Sequence, residues 1–234
     1  SMISPVERKK ITRSIRPSHN AEMKKYEAVY LTYANTGYTK DLCDQYAAAF
    51  VDDVKKPNTV DVIQLAMLYE KIFDYKMAAF YLDSLEERKL GGLEKYHYCV
   101  EALKTKSLLG KWRDAEDFRT ENIDFMQKQS EKLSSQRQAD LYMALALTDC
   151  AAQNYDQALK LLKFGYKPQG KNDKKLLEIF ITARYIFAKA NDEEGVEGAL
   201  KNANSCLEMF SKFDFSWGKD YWEKRIADAS QGII

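Results

Sequence analysis

Apolar residues recur three and four positions apart along nearly the whole chain, and the recurrence breaks at regular places. Met23, Tyr26, Tyr30 and Tyr33 predict a helix from about Ser18 to Thr36, and Leu42, Tyr46, Ala49 and Phe50 a second from about Thr39 to Val54. Pro57-Asn58-Thr59 ends that pair. Val62, Leu65, Ala66 and Tyr69 then form one stripe, and Met77, Ala78, Tyr81, Leu82 and Leu85 the facing one. A third pair runs through Tyr96, Cys99, Ala102 and Leu103, then Trp112, Ala115, Phe118, Ile123 and Met126. A fourth carries Leu141, Tyr142, Leu145, Ala146 and Cys150, then Tyr155, Ala158, Leu159, Leu161 and Leu162. The fifth pair uses Leu176, Leu177, Phe180, Ala183 and Phe187, returning through Val196, Leu200, Ala203 and Leu207. A last helix, about Trp217 to Ala229, has no partner after it.

The breaks resemble one another. Thr36-Gly37-Tyr38, Phe73-Asp74-Tyr75, Gly110-Lys111-Trp112 and Gln153-Asn154-Tyr155 each close a turn with an aromatic residue, at intervals of 37, 37 and 43 residues. Repetition at such intervals marks stacked helical pairs, each covering an apolar face that its neighbour cannot bury alone. The expectation is therefore an all-α solenoid of about five antiparallel helical hairpins plus a C-terminal capping helix. Trp112 is expected in the core. The polar stretch 127–138 is expected to lengthen the flanking helices. Two antiparallel helices approach closely only over small side chains, which Ala66 with Ala78 and Ala146 with Ala158 supply.

Composition narrows the function classes. Lys and Arg number 36 against 35 Asp and Glu, a net of +1, without the excess a dedicated phosphate binder needs. The balance is uneven along the chain: residues 1–25 hold seven basic residues against Glu7 and Glu22, a net of +5, which leaves −4 for the rest. Ser4-Pro5-Val6-Glu7 has the chemistry of a helix start and Pro17 that of a stop, so 1–17 is a basic leader. It suits an anionic surface, or is simply a solvated helix or a linker. Residues 18–214 form the array and 215–234 the capping helix and tail, with Gly232-Ile233-Ile234 expected to fray. The aromatics Phe215, Trp217, Tyr221 and Trp222 cover the last core face or anchor a partner.

Cys43, Cys99, Cys150 and Cys206 stand one to a pair and read as small core residues in a reducing compartment. No metal site, cofactor or membrane span is expected, and the location expected is the cytoplasm or a cytosol-facing part of a larger protein. His19 and His97 are far apart, and no nucleophilic set or phosphate loop accompanies them, so no catalytic residue is assigned.

The pairs resemble tetratricopeptide repeats over roughly residues 59–207. In the second, Val62 stands at the family's Trp place, with Leu65, Ala66, Tyr69, Ala78 and Leu82 at the following ones. The fourth matches through Tyr142, Leu145, Ala146, Ala158 and Leu162, but Asp149 replaces a Tyr. The third keeps Ala115 yet has Lys106 and Arg119 where large apolar residues are usual. The fifth keeps Phe180, Phe187 and Leu200 but puts Arg184 and Val196 at small-residue positions, and the first has Asp41 at an Ala place.

The resemblance implies a right-handed superhelix whose first helices line a concave groove. The residues that map there are Ile63, Met67 and Glu70; His97, Val100, Glu101 and Lys104; Met143 and Leu147; Glu178, Ile181 and Tyr185. The Lys and Asn that clamp a peptide carboxylate in this family are replaced by Ile63, Met67, Val100, Lys104, Met143 and Leu147. An apolar groove centre suits an amphipathic helix, unless these residues pack on one another. The expected function is a non-enzymatic scaffold or adaptor binding a protein or peptide partner. The alternative is a helical-repeat RNA binder using the basic leader.

Overall fold

A computed structural model of the chain describes residues 21–171, 173–209, 213 and 215–234. The basic leader 1–17 and His19 lie outside the described residues. Those residues form eleven α-helices and no strand: α1 (Ala21–Thr36), α2 (Lys40–Phe50), α3 (Thr59–Lys71), α4 (Tyr75–Asp83), α5 (Gly92–Leu108), α6 (Trp112–Ser130), α7 (Ser135–Ala151), α8 (Tyr155–Tyr166), α9 (Asp173–Lys189), α10 (Glu193–Met209) and α11 (Gly218–Ala229). A 3-10 turn, Lys167–Gln169, follows α8. The polar stretch after Met126 extends α6 to Ser130 and starts α7 at Ser135, as its helix-forming composition predicts.

Five connections, α1–α2, α3–α4, α5–α6, α7–α8 and α9–α10, are built alike. Each spans three residues, and each holds one residue with positive φ: Gly37 (74°), Phe73 (63°), Gly110 (75°), Gln153 (64°) and Asn191 (57°). In the last four the following amide reaches back five residues, Asp74 to Tyr69, Lys111 to Lys106, Asn154 to Asp149 and Asp192 to Phe187, at 2.8–3.0 Å. The left-handed residue's own amide reaches back three. This double closure satisfies carbonyls that a helix end leaves open. The next helix begins at once: the Asp74 carboxylate accepts from the Met77 amide (3.1 Å), and Asp192 from that of Gly195 (3.0 Å).

The chain divides into two compact units. The first holds α1 to α4 together with residues 215–218. Within it α1 packs on α2, α2 on α3 and α3 on α4, around Val29, Leu42, Tyr46, Val62, Leu65, Ala66, Ala78 and Leu82. The buried Asp61 carboxylate accepts from the hydroxyls of Tyr26 (3.0 Å) and Tyr46 (2.8 Å), which fixes the start of α3 against both preceding helices. Burial beside this carboxylate raises both phenols. Phe215 and Trp217 belong here, contrary to the expectation that they cover the last core face. The Trp217 ring lies 5.2 Å from that of Tyr33, and its indole N–H donates to the Ala34 carbonyl at 3.2 Å. Gly37 thus has two reasons to be glycine, since a Cβ there would meet the Trp217 ring at 2.8 Å.

The second unit runs from Arg88 to Phe213 and from Lys219 to Ile234. Here α5 packs on α6 and on α7, α7 on α8 and on α9, and α9 on α10, while α6 meets α7 and α8 meets α9. Ala146 and Ala158 are fully buried, as their small size predicts, and buried Gly165 brings α8 within 3.6 Å of the Ala139 backbone, measured from where its Cβ would stand. Two expectations fail in this unit. Trp112 remains 44% exposed beneath the Arg113 guanidinium, so it is not a core residue. Ile234 is buried in the core cluster rather than frayed. In α10 Ala203 and Leu207 are buried as predicted and Leu200 packs half-buried against the same cluster, joined by buried Ala199 and Cys206. Gly195 at the start of α10 admits the Phe187 ring where a Cβ would lie 2.2 Å from it. All four cysteines are free thiols and buried, which raises Cys43 to about 12 and Cys99 and Cys150 to about 11.

Candidate functional site

Charged side chains stand buried or half-buried inside this fold, and those of Arg119, Lys106 and Arg184 each have a partner. Arg119, on α6, meets Asp149 of α7 at 3.0 Å and its own-helix neighbour Glu116. The Asp149 side chain is only 6% exposed. Arg119 and Asp149 therefore complement each other across the α6–α7 contact. Lys106 places its ammonium over the Phe118 ring, 5.7 Å from the centroid. Arg184, 7% exposed, donates to the Val196 carbonyl and to those of Ile226 and Ala227. The last two belong to the final turn of α11, where a cation opposes the negative end of the helix dipole. Arg184 thus ties α9, α10 and α11 into one cluster.

The neighbouring helices α5, α7 and α9 carry most of the predicted groove. On α5, Val100 and Glu101 are buried while His97 and Lys104 are half-buried. On α7, Leu147 is buried and Met143 half-buried. On α9, Ile181 and Tyr185 are buried and Glu178 half-buried. Ile63, Met67 and Glu70 lie on α3 in the first unit, where only Met67 is half-buried. The structure thus divides the predicted set. Val100, Leu147, Ile181, Tyr185 and Ile63 are buried, and so are the acidic Glu70 and Glu101. Met67, His97, Lys104 and Met143 remain accessible.

Polar ties hold α5, α7 and α9 in register. The Tyr96 hydroxyl donates to the Arg137 carbonyl at 2.6 Å, joining α5 to α7. Lys175 reaches Asp140 on α7 and Glu178 on its own helix, both at 2.6 Å, joining α7 to α9. Thr182 donates to the Met143 sulfur at 3.7 Å. Burial, with the Arg137 charge nearby, holds His97 below its ordinary value, so the ring is neutral at pH 7 and offers one donor and one acceptor. The sequence pattern had not singled out Asp140, Lys175 or Thr182. Its only signal for the ion pair was two opposite charges about one interval apart.

Among the described residues no three His, Cys, Asp or Glu side chains stand together to hold a metal ion. No described helix is long and apolar enough to cross a membrane. Comparison with protein-family models, with curated proteins and with solved structures returned no match to this chain.

Proposed function

We propose that this protein is a non-enzymatic scaffold or adaptor of divergent tetratricopeptide-like architecture, working in the cytoplasm or facing it, and that it binds a peptide or helical segment of another protein. Two features support the architecture: three-residue turns of one design at near-constant intervals, and, within the second unit, first helices that each meet their own partner and the next first helix. In this reading the stack is a right-handed superhelix and α5, α7 and α9 line its inner face. The single observation that carries the binding role is that His97, Lys104 and Met143 stay half-buried, partly open to solvent, beside an interior of Val100, Leu147 and Ile181. One apolar, one cationic and one neutral hydrogen-bonding group, set on a rigid base, match an amphipathic segment with an acidic flank.

A peptide-display selection against the purified protein tests the proposal. Enriched peptides should share apolar residues at helical spacing and an acidic residue. Their affinity should fall at least tenfold in Met143→Asp and in Lys104→Glu, with melting temperatures held within a few degrees. Peptides that bind both variants as well as the parent would refute this face as the site.

A further inference from the structure

A second surface of the same unit has a different chemistry. Between residues 160 and 175 the chain places six lysines against a single acid, Asp173, a local net of +5 in a protein whose total is +1. Lys175 is engaged with Asp140 and Glu178, whereas Lys160, Lys163, Lys167, Lys171 and Lys174 are exposed. Lys160, Lys163, Phe164 and Lys167 follow one another at helical spacing and share the outer face of α8 and its 3-10 extension. Among them stand two aromatic rings that a water-facing helix has no reason to display, Phe164 at 55% and Tyr166 at 45% exposure.

The rings are braced. Phe164 stacks on Tyr142 with centroids 5.9 Å apart, and Tyr166 leans on Phe180 at 5.6 Å. We infer that this face docks on an anionic phospholipid bilayer, with the lysines against the phosphate and carboxylate headgroups and the rims of Phe164 and Tyr166 in the interfacial layer. Charge complementarity selects an anionic partner. The rings select among anionic partners. A nucleic-acid strand is held by ring faces on which successive bases stack, and here one face of Phe164 is taken by Tyr142 and Tyr166 leans on Phe180, which leaves fewer faces for bases. Partly exposed rings flanked by ammonium groups, with no arginine fork among them, suit a diffuse charged interface. The lysines and rings of this face are different residues from His97, Lys104 and Met143, so either assignment stands without the other.

Vesicle co-sedimentation of the whole chain tests the inference. The protein should sediment with vesicles of 70% phosphatidylcholine and 30% phosphatidylserine, stay in solution with phosphatidylcholine alone, and be released by raised salt. Each lysine near such a surface is worth about fivefold in partitioning. Reversing Lys160, Lys163 and Lys167 to Glu should therefore weaken binding by roughly a hundredfold or more. Phe164→Ser should weaken it several-fold and leave the salt dependence unchanged. Should the reversed variant melt early, the milder Lys→Gln set supplies the same comparison. Equal partitioning of parent and lysine variants would overturn the inference, as would equal binding to neutral vesicles. Salt-sensitive binding to poly(U) without binding to anionic vesicles would assign the face to RNA instead.

Discussion

Arg119 and Asp149 put the packing logic to its most direct test. They meet across the α6–α7 contact at 3.0 Å with side chains 22% and 6% exposed. Removing one partner of a well-buried pair costs about 3–5 kcal/mol, because the remaining charge stays desolvated. The partial exposure of Arg119 lets water reach the site, so Arg119→Met should cost less, about 2–3 kcal/mol. For a unit of this size that lowers the melting temperature by roughly 5–10 °C.

The loss should also depend on pH in a stated sense. Burial already raises Asp149 against the opposing pull of Arg119, and removing the arginine raises it further. A carboxyl whose folded value lies above its unfolded value favours the fold only when protonated. The deficit of Arg119→Met should therefore shrink as pH falls toward 4 and be complete at pH 8. The double variant Arg119→Met, Asp149→Leu removes both charges and should recover to within about 1 kcal/mol of the parent. Urea titrations of the four proteins at pH 5 and pH 8 measure the cycle. If the two single changes simply add, the charges are not coupled and the complementarity of Arg119 and Asp149 is accidental.

Two further outcomes follow from the turns. Gln153 is exposed and holds φ at 64°, a conformation that costs a side-chain-bearing residue roughly 1 kcal/mol. Gln153→Gly should accordingly raise the melting temperature by a few degrees, and a lower value in calorimetry would show that the side chain makes a compensating contact. Trp112→Ala should cost under about 1.5 kcal/mol, since the ring is 44% exposed, against the roughly 3–5 kcal/mol of a buried aromatic; a denaturant midpoint shifted by the larger amount would mean that Trp112 is core.

What could be read in advance was local. The turns lie within a residue or two of where Gly37, Asp74, Gly110, Asn154 and Asn191 predict them, because a left-handed residue followed by a cap is dictated by neighbours in sequence. The stripes of α3 and α7 were legible for the same reason. Relations between distant residues were not. Arg184 looks like a flaw in a small-residue position until the last carbonyls of α11, 42 residues on, are in place to receive it. Trp217 reads as a cover for the end of the chain, yet it packs 183 residues back on Ala34. The candidate face was half legible by the same physics. Helical spacing puts Val100, Met143, Leu147 and Ile181 on the first-helix faces, but it says nothing of how deeply each neighbouring helix sits, and that depth leaves Met143 accessible while sealing Leu147 a single turn away. A pattern along one helix gives direction; only the packed neighbour gives exposure, and a binding surface is made of exposure.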